Sequence, residues 1–162
     1  VIPQGANTGL TGGSVPRAPG TGLDRPTVVI NMRQLSSIIP IDGGKRMVCL
    51  GGAGIYDVLS EAKALGRESH SVLGSIFLNP STAAGVALGS GGTQTRKGPV
   101  YTERLLYAKV NGQGKVEVVD TLGLKGQPAE LYKKLESGSL TQSDVDEKCA
   151  LPASQPKYAA QV

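Results

Sequence analysis

Four runs of apolar, largely β-branched residues, each bounded by Gly, Pro or Asp, predict strands at residues 28–32, 46–50, 104–110 and 115–119. The last two flank Asn111-Gly112-Gln113-Gly114, a turn-forming sequence that predicts a hairpin. Between the second and third runs, Ile55, Val58, Leu59, Ala62 and Leu65 recur at the spacing of one apolar helix stripe, and Gly66 stands where such a helix would end. Asn79-Pro80 predicts a second helix start, with Asn as the N-cap and Pro at the first helical position, continuing to about residue 88. A third, weaker stripe covers residues 128–136, with Leu131 and Leu135 one turn apart. Over residues 137–162 turn residues and scattered charge replace any sustained period, so no element is predicted there. Strands and helices mix without strict βαβ alternation, which predicts an α+β domain rather than a doubly wound sheet.

The length of 162 residues is about one domain's worth and enough to bury a core. With 39% hydrophobic and 19% charged residues, and no 18-residue uncharged apolar run, the chain reads as globular, without a membrane-spanning helix. Glycine is the outlier: 23 residues, about twice the usual share. The net charge of +4 is spread thinly, and one Phe with no Trp offers few stacking platforms, so nucleic acid is excluded as the partner. Cys49 and Cys149 form neither a disulfide framework nor a metal knuckle, which fits a reducing compartment, and Cys49 reads as core. No metal site is predicted. The chain opens on Val1-Ile2-Pro3-Gln4 without Met or a secretory signal, the pattern expected of an excerpt truncated at both ends.

Two segments carry candidate chemistry. Residues 2–14 hold four Gly, two Thr, one Ser and one Asn, with no charge. Small residues expose backbone N–H groups, and N–H groups turned inward make an anion-binding concavity that needs no lysine; Thr8, Thr11 and Ser14 add hydroxyls. Such a loop suits a pyrophosphate, and it equally suits a tight connection whose hydroxyls satisfy their own turn. The better-known phosphate loops fail: none of the four GxG spacings completes GxGxxG, and neither Gly44-Lys45 nor Gly114-Lys115 is followed by Ser or Thr. In the second segment, residues 66–92, the small side chains of Ala83, Ala84, Gly85, Ala87 and Gly89 admit either a flat ligand or close helix–sheet packing.

Gln4-Gly5-Ala6-Asn7-Thr8-Gly9-Leu10-Thr11, followed by Gly66-Arg67-Glu68-Ser69-His70-Ser71-Val72-Leu73-Gly74-Ser75 and Gly98-Pro99-Val100-Tyr101-Thr102-Glu103, closely resembles the FAD-binding domain of the quinone-dependent D-lactate dehydrogenases, peripheral membrane flavoenzymes of the vanillyl-alcohol oxidase type. The match is dense over residues 1–123 and thin afterwards. The resemblance implies a PCMH-type FAD-binding domain, partial here, of two α+β subdomains with the dinucleotide between them, and a weakly structured continuation over residues 124–162 toward a cap region. It places the pyrophosphate on Gly5, Ala6, Asn7, Thr8, Gly9, Gly13 and Ser14, and lines the cofactor with Gly74, Ser81 and Gly91. Relatives often carry an acidic residue near Gly12, and none stands here. The first loop has neither His nor Cys, so the resemblance implies non-covalent FAD.

The implied activity is oxidation of D-lactate to pyruvate with electrons passed to a quinone, on the cytoplasmic side of the inner membrane, through membrane-binding segments outside this chain. Other 2-hydroxy-acid dehydrogenases or oxidases on the same fold, and a non-catalytic nucleotide-binding module, are the alternatives. In the resembling family the residues that oxidise the hydroxy acid lie largely in the cap, so no catalytic residue is assigned and the chain alone is expected to be inactive. His70, the only histidine, reads as a loop-positioning residue rather than a base. Arg96-Lys97 either faces an anion or stays solvated, Glu103 and Arg104 read as a surface or inter-subdomain pair rather than catalytic residues, and Tyr101 either touches flavin or packs. A sheet cut at its first strand is expected to expose an edge and leave the chain marginally stable by itself.

Overall fold

The computed structural model describes residues 1–22, 25–68, 75–90 and 104–146. Among them are six strands, paired as three two-stranded sheets, and three α-helices. This is the expected α+β mixture, and several element boundaries follow the hydrophobic pattern closely.

β1 (Ile2–Gln4) and β2 (Val29–Asn31) pair in parallel, with Ile2 opposite Val29 and Gln4 opposite Asn31. The pair is clamped at both ends: the Ile2 N–H donates to the Val28 carbonyl and the Met32 N–H to the Gln4 carbonyl, each at 2.8 Å. Val28, Val29 and Ile30 are exposed. β3 (Ile38–Ile41) and β4 (Arg46–Cys49) form an antiparallel hairpin around a 3₁₀ turn at Asp42–Gly44. The sequence pattern predicts β4 but not β3, because Pro40 interrupts its apolar run. A strand in a two-stranded sheet has an open edge, where a residue without an N–H is tolerated.

α1 (Ile55–Ala64) buries Ile55 and Ala62 from its apolar stripe, and Gly66 at φ 67° supplies the left-handed residue that ends it. The Arg67 N–H then reaches back to the Ala62 carbonyl at 2.8 Å, the Schellman closure such a glycine permits. α2 (Thr82–Ala87) is shorter than expected and starts later: its N-cap is Ser81, not Asn79. Asn79 instead takes the left-handed conformation, φ 51°, at the end of a 3₁₀ turn, Ile76–Leu78. Its tolerance of positive φ ends one turn, and Pro80 then carries the chain into the next helix. β5 (Leu106–Val110) and β6 (Val116–Asp120) form the hairpin predicted from the Asn111 turn, whose side chain accepts the N–H groups of Gln113 and Lys115 at 2.9 and 3.0 Å.

The main core joins the β3–β4 hairpin to the C-terminal part of the described chain. Ile39 and Ile41, on one face of β3, pack with Val48, Leu124, Leu131, Leu135, Leu140 and Val145. α3 (Pro128–Ser137) contributes Leu131 and Leu135, one turn apart on the same face. Both ends of this helix are written in sequence: Gln127 and Glu130 form a capping box, Pro128 opens the first turn, and Gly138 closes the last at φ 64°.

The stretch beyond residue 137 for which the pattern predicts no element is folded as far as residue 146. Leu140 and Val145 are buried, and Leu124 bridges Val145 in antiparallel fashion. Its order comes from caps and ion pairs, which leave no period. Buried Asp144 accepts the Thr141 N–H at 2.8 Å and pairs with Lys134. The hydrogen bond from Lys134 and that from the Thr141 backbone hold its carboxyl at about 2, below the usual 3.8. Side-chain packing is thus continuous across residue 123. Cys49 is half-buried at the edge of this core, and burial pushes its thiol up to about 11.

Candidate functional site

The glycine-rich loop leaves β1 at Gln4 and is folded on itself by its own polar side chains. Gln4 Nε2 donates to the Ser14 carbonyl at 2.8 Å, and the Ser14 hydroxyl donates to Asn7 Oδ1 at 2.6 Å. The loop therefore returns to its own stem within ten residues. Two turns complete it, closed by Gly12 N–H to the Gly9 carbonyl at 3.3 Å and Val15 N–H to the Gly12 carbonyl at 3.1 Å. Asn7, at φ 56°, and Gly12, at φ 69°, are the two left-handed positions that let it turn back.

This folding spends few backbone donors. Among the described residues, the N–H groups of Gly5, Ala6, Asn7, Thr8, Gly9, Gly13 and Ser14 donate no hydrogen bond. An unsatisfied N–H in a partly covered loop needs water or a ligand oxygen; the Leu10 and Thr11 N–H groups donate none either, so nine donors remain available within ten residues that carry no charge.

The second segment is held against residues 50–55. The Ile55 N–H donates to the Pro80 carbonyl, the Thr82 N–H to the Ala53 carbonyl and the Thr82 hydroxyl to the Leu50 carbonyl, at 2.9, 2.8 and 3.1 Å. These bonds fix Ser81, only 5% exposed, directly over Gly5. A Cβ on Gly5 would lie 2.2 Å from Ser81 Oγ and 2.9 Å from its Cβ. Gly5 is therefore required by contact, not by backbone angle.

The helix that carries these anchors is itself capped from a distance. Gly54, the N-cap of α1, has no side chain to accept the first N–H groups. Asn79 does so in its place: Oδ1 accepts the Tyr56 N–H at 3.0 Å while Nδ2 donates to Asp57 Oδ2 at 2.8 Å. A Cβ on Gly54 would sit 1.9 Å from that Oδ1. The residue predicted to cap α2 thus caps α1, and it lies two positions before Ser81.

Of the residues assigned from the sequence, the structure brings Gly5 to Ser81 and Asn7 to Ser14. Ala6, Thr8 and Gly9 follow along the same loop, and Gly13 lines a depression of about 290 Å³ beside it. Gly74 and Gly91 lie outside the described residues, as do His70, Arg96, Lys97, Tyr101 and Glu103. Sequence reading did not single out Arg17 or Thr27, which line the depression with Thr11 and Gly12. A cation three residues after the loop's last hydroxyl, in an otherwise uncharged stretch, is the signal that could have found Arg17. No group of three or more metal-ligating side chains occurs among the described residues, and no helix among them is long and apolar enough to cross a membrane.

No protein-family model matches the chain. Three curated proteins do. The chain is 38% identical over 151 residues to a quinone-dependent D-lactate dehydrogenase of Haemophilus influenzae, covering 92% of this chain and 26% of that protein. Proteins of the same name from Corynebacterium glutamicum and Escherichia coli are 38% and 36% identical over 148 and 147 residues, each covering 90% of this chain and 25% of theirs. The chain thus spans about a quarter of the length of the curated relatives it matches. The resemblance carried by the three motifs is borne out, and it extends well beyond residue 123.

Proposed function

We propose that this chain is the FAD-binding portion of a quinone-dependent D-lactate dehydrogenase, which oxidises D-lactate to pyruvate and passes electrons to a quinone. The observation that carries this reading is the similarity to three such enzymes over at least 90% of the chain. The loop fits the cofactor. Its run of unspent N–H groups, with no charge of its own, can hold two phosphates through backbone dipoles, which act more strongly out of water. Bound FAD supplies the hydride acceptor of such a reaction, while the protein contributes binding and orientation.

In this reading Gly5, Ala6, Asn7, Thr8, Gly9, Gly13 and Ser14 donate to the pyrophosphate, with Ser81 packed behind Gly5 to fix the loop's path. Gly74 and Gly91 are further contacts to the cofactor. FAD is held non-covalently in a PCMH-type arrangement of two α+β subdomains. The hydroxy acid and the quinone are bound by other parts of the enzyme, which sits peripherally on the cytoplasmic face of the inner membrane.

The test uses the protein carrying this chain. Purified, it should retain a flavin absorption spectrum, release all of that flavin on denaturation, and reduce a dye in the presence of D-lactate. Gly5→Ala should weaken FAD binding at least tenfold, because its Cβ must displace Ser81 or the loop. D-lactate failing to reduce the dye where glycolate or D-2-hydroxyglutarate succeeds would reassign the substrate. A wild-type protein that binds no flavin would overturn the reading.

A further inference from the structure

The depression beside the loop has an electrostatic character that the loop itself lacks. Among the described residues, its one charged lining residue is Arg17. No carboxylate among the described residues forms an ion pair with that guanidinium. Around it stand the Thr11 hydroxyl, which makes no hydrogen bond among the described residues, the unspent Gly13 N–H, and the Thr27 hydroxyl, whose one bond is a long 3.3 Å contact to the Arg25 carbonyl. Nothing lies within 4 Å of where a Cβ would stand on Gly12 or Gly13, so the backbone there is open to an incoming group. A cation, hydroxyls that can donate and a free N–H around one concavity, with no carboxylate among the described lining residues, suit an oxyanion. A guanidinium adds a rigid fork that matches two oxygens of a phosphate.

We propose that Arg17, with Thr11 and the Gly13 N–H, forms a charged phosphate subsite at the outer end of the glycine-rich loop and makes cofactor affinity depend on phosphate charge. This rests on the FAD-binding reading and goes beyond it: backbone donors bind through dipoles, whereas Arg17 contributes a full charge. The protein should therefore separate phosphorylated flavins from riboflavin by more than the loop alone achieves. Its cofactor affinity should also fall with ionic strength, since an exposed charge is screened by salt.

The experiment measures flavin fluorescence quenching by the deflavinated protein carrying this chain, in wild-type, Arg17→Lys and Arg17→Gln forms, at two salt concentrations. The ligands are FAD, FMN and riboflavin, with inorganic pyrophosphate as competitor. Arg17→Gln should weaken FAD binding about tenfold, the modest end for a charge-assisted hydrogen bond at an exposed site. It should also flatten the salt dependence, reduce competition by pyrophosphate, and leave riboflavin affinity unchanged. Arg17→Lys should fall between, keeping the charge without the fork. If wild type binds FAD and Arg17→Gln binds it equally well with the same salt dependence, the subsite is refuted and the FAD reading stands. A raised KM for D-lactate at unchanged FAD affinity would assign Arg17 to a carboxylate and likewise overturn it. A wild-type protein that binds neither FAD nor FMN removes both.

Discussion

Replacing Gly54 by Ser asks whether the first turn of α1 takes its cap from Asn79. Gly54 stands at the N-cap with extended backbone, φ −80° and ψ 143°, the conformation from which a serine hydroxyl ordinarily accepts the N–H two or three residues on. The Asn79 oxygen already holds that acceptor position at Tyr56 and occupies the space a Cβ would need. Alone, Gly54→Ser evicts the existing cap and overpacks a buried position, which costs about 1–3 kcal/mol. Asn79→Gly removes the cap while keeping the left-handed backbone without strain, a loss of about 1 kcal/mol.

Combined with Asn79→Gly, the same serine finds the space vacated and supplies its own cap. In that background it should be neutral or stabilising by about a few tenths of a kcal/mol. The sign of Gly54→Ser therefore reverses with the residue at position 79, a coupling of about 1–3 kcal/mol, within the range found for residues in contact. Urea unfolding of wild type, both single variants and the double variant, followed by helical circular dichroism, gives the four midpoints and slopes required. Losses that add to within about 0.5 kcal/mol would refute the distant cap, as would a double variant less stable than either single one.

Two further outcomes follow from the core. Leu131→Ala empties the most deeply buried position in α3 and should cost about 2–5 kcal/mol; a loss under about 1 kcal/mol would mean that α3 is not packed on the β3–β4 hairpin. The Asp144 carboxyl is held at about 2 against an ordinary 3.8, so its charged form is favoured by folding. Its contribution is complete above the ordinary value and is lost as pH falls toward about 2. Asp144→Asn should therefore be less stable than wild type at neutral pH, with the gap closing as pH falls from 3.8 to about 2, and a gap that stays constant through that range would contradict the assignment.

What could be read from the sequence was local. The apolar stripe of α1 with its closing Gly66, the hairpin turn at Asn111, and the Leu131–Leu135 stripe of α3 act within a few residues, and the structure carries each of them out. The glycine-rich loop was legible for the same reason, since its donors and its lack of charge are properties of one short segment. Contacts between distant residues were not legible. Nothing near Gly5 in sequence announces Ser81, and the Asn79-Pro80 pair reads as the start of the helix that follows it, whereas its side chain serves an earlier one. Leu124, Leu140 and Val145 share a core with Ile39 without any common period, because their positions are set by a bridge, a capping box and an ion pair. Arg17 is an ordinary surface cation until the loop's return path sets it beside Thr11 and Gly13.

The clamped parallel pair has a consequence for how this region can change. Parallel strands are usually joined through a crossover helix; here the described residues of the connection, 5–22 and 25–28, hold neither helix nor strand, and the connection is tied at its base on both sides into a closed ring. Ring closure depends only weakly on contour length, and doubling the number of residues costs about 0.6 kcal/mol. The near arm is pinned by the Gln4, Asn7 and Ser14 side chains, whereas the far arm passes through exposed, left-handed Gly20 and Gly22. Extra residues inserted at those glycines lengthen the tether without shifting the donors. One arm of the ring can thus diverge in length, or carry a reporter group, while the other keeps its shape.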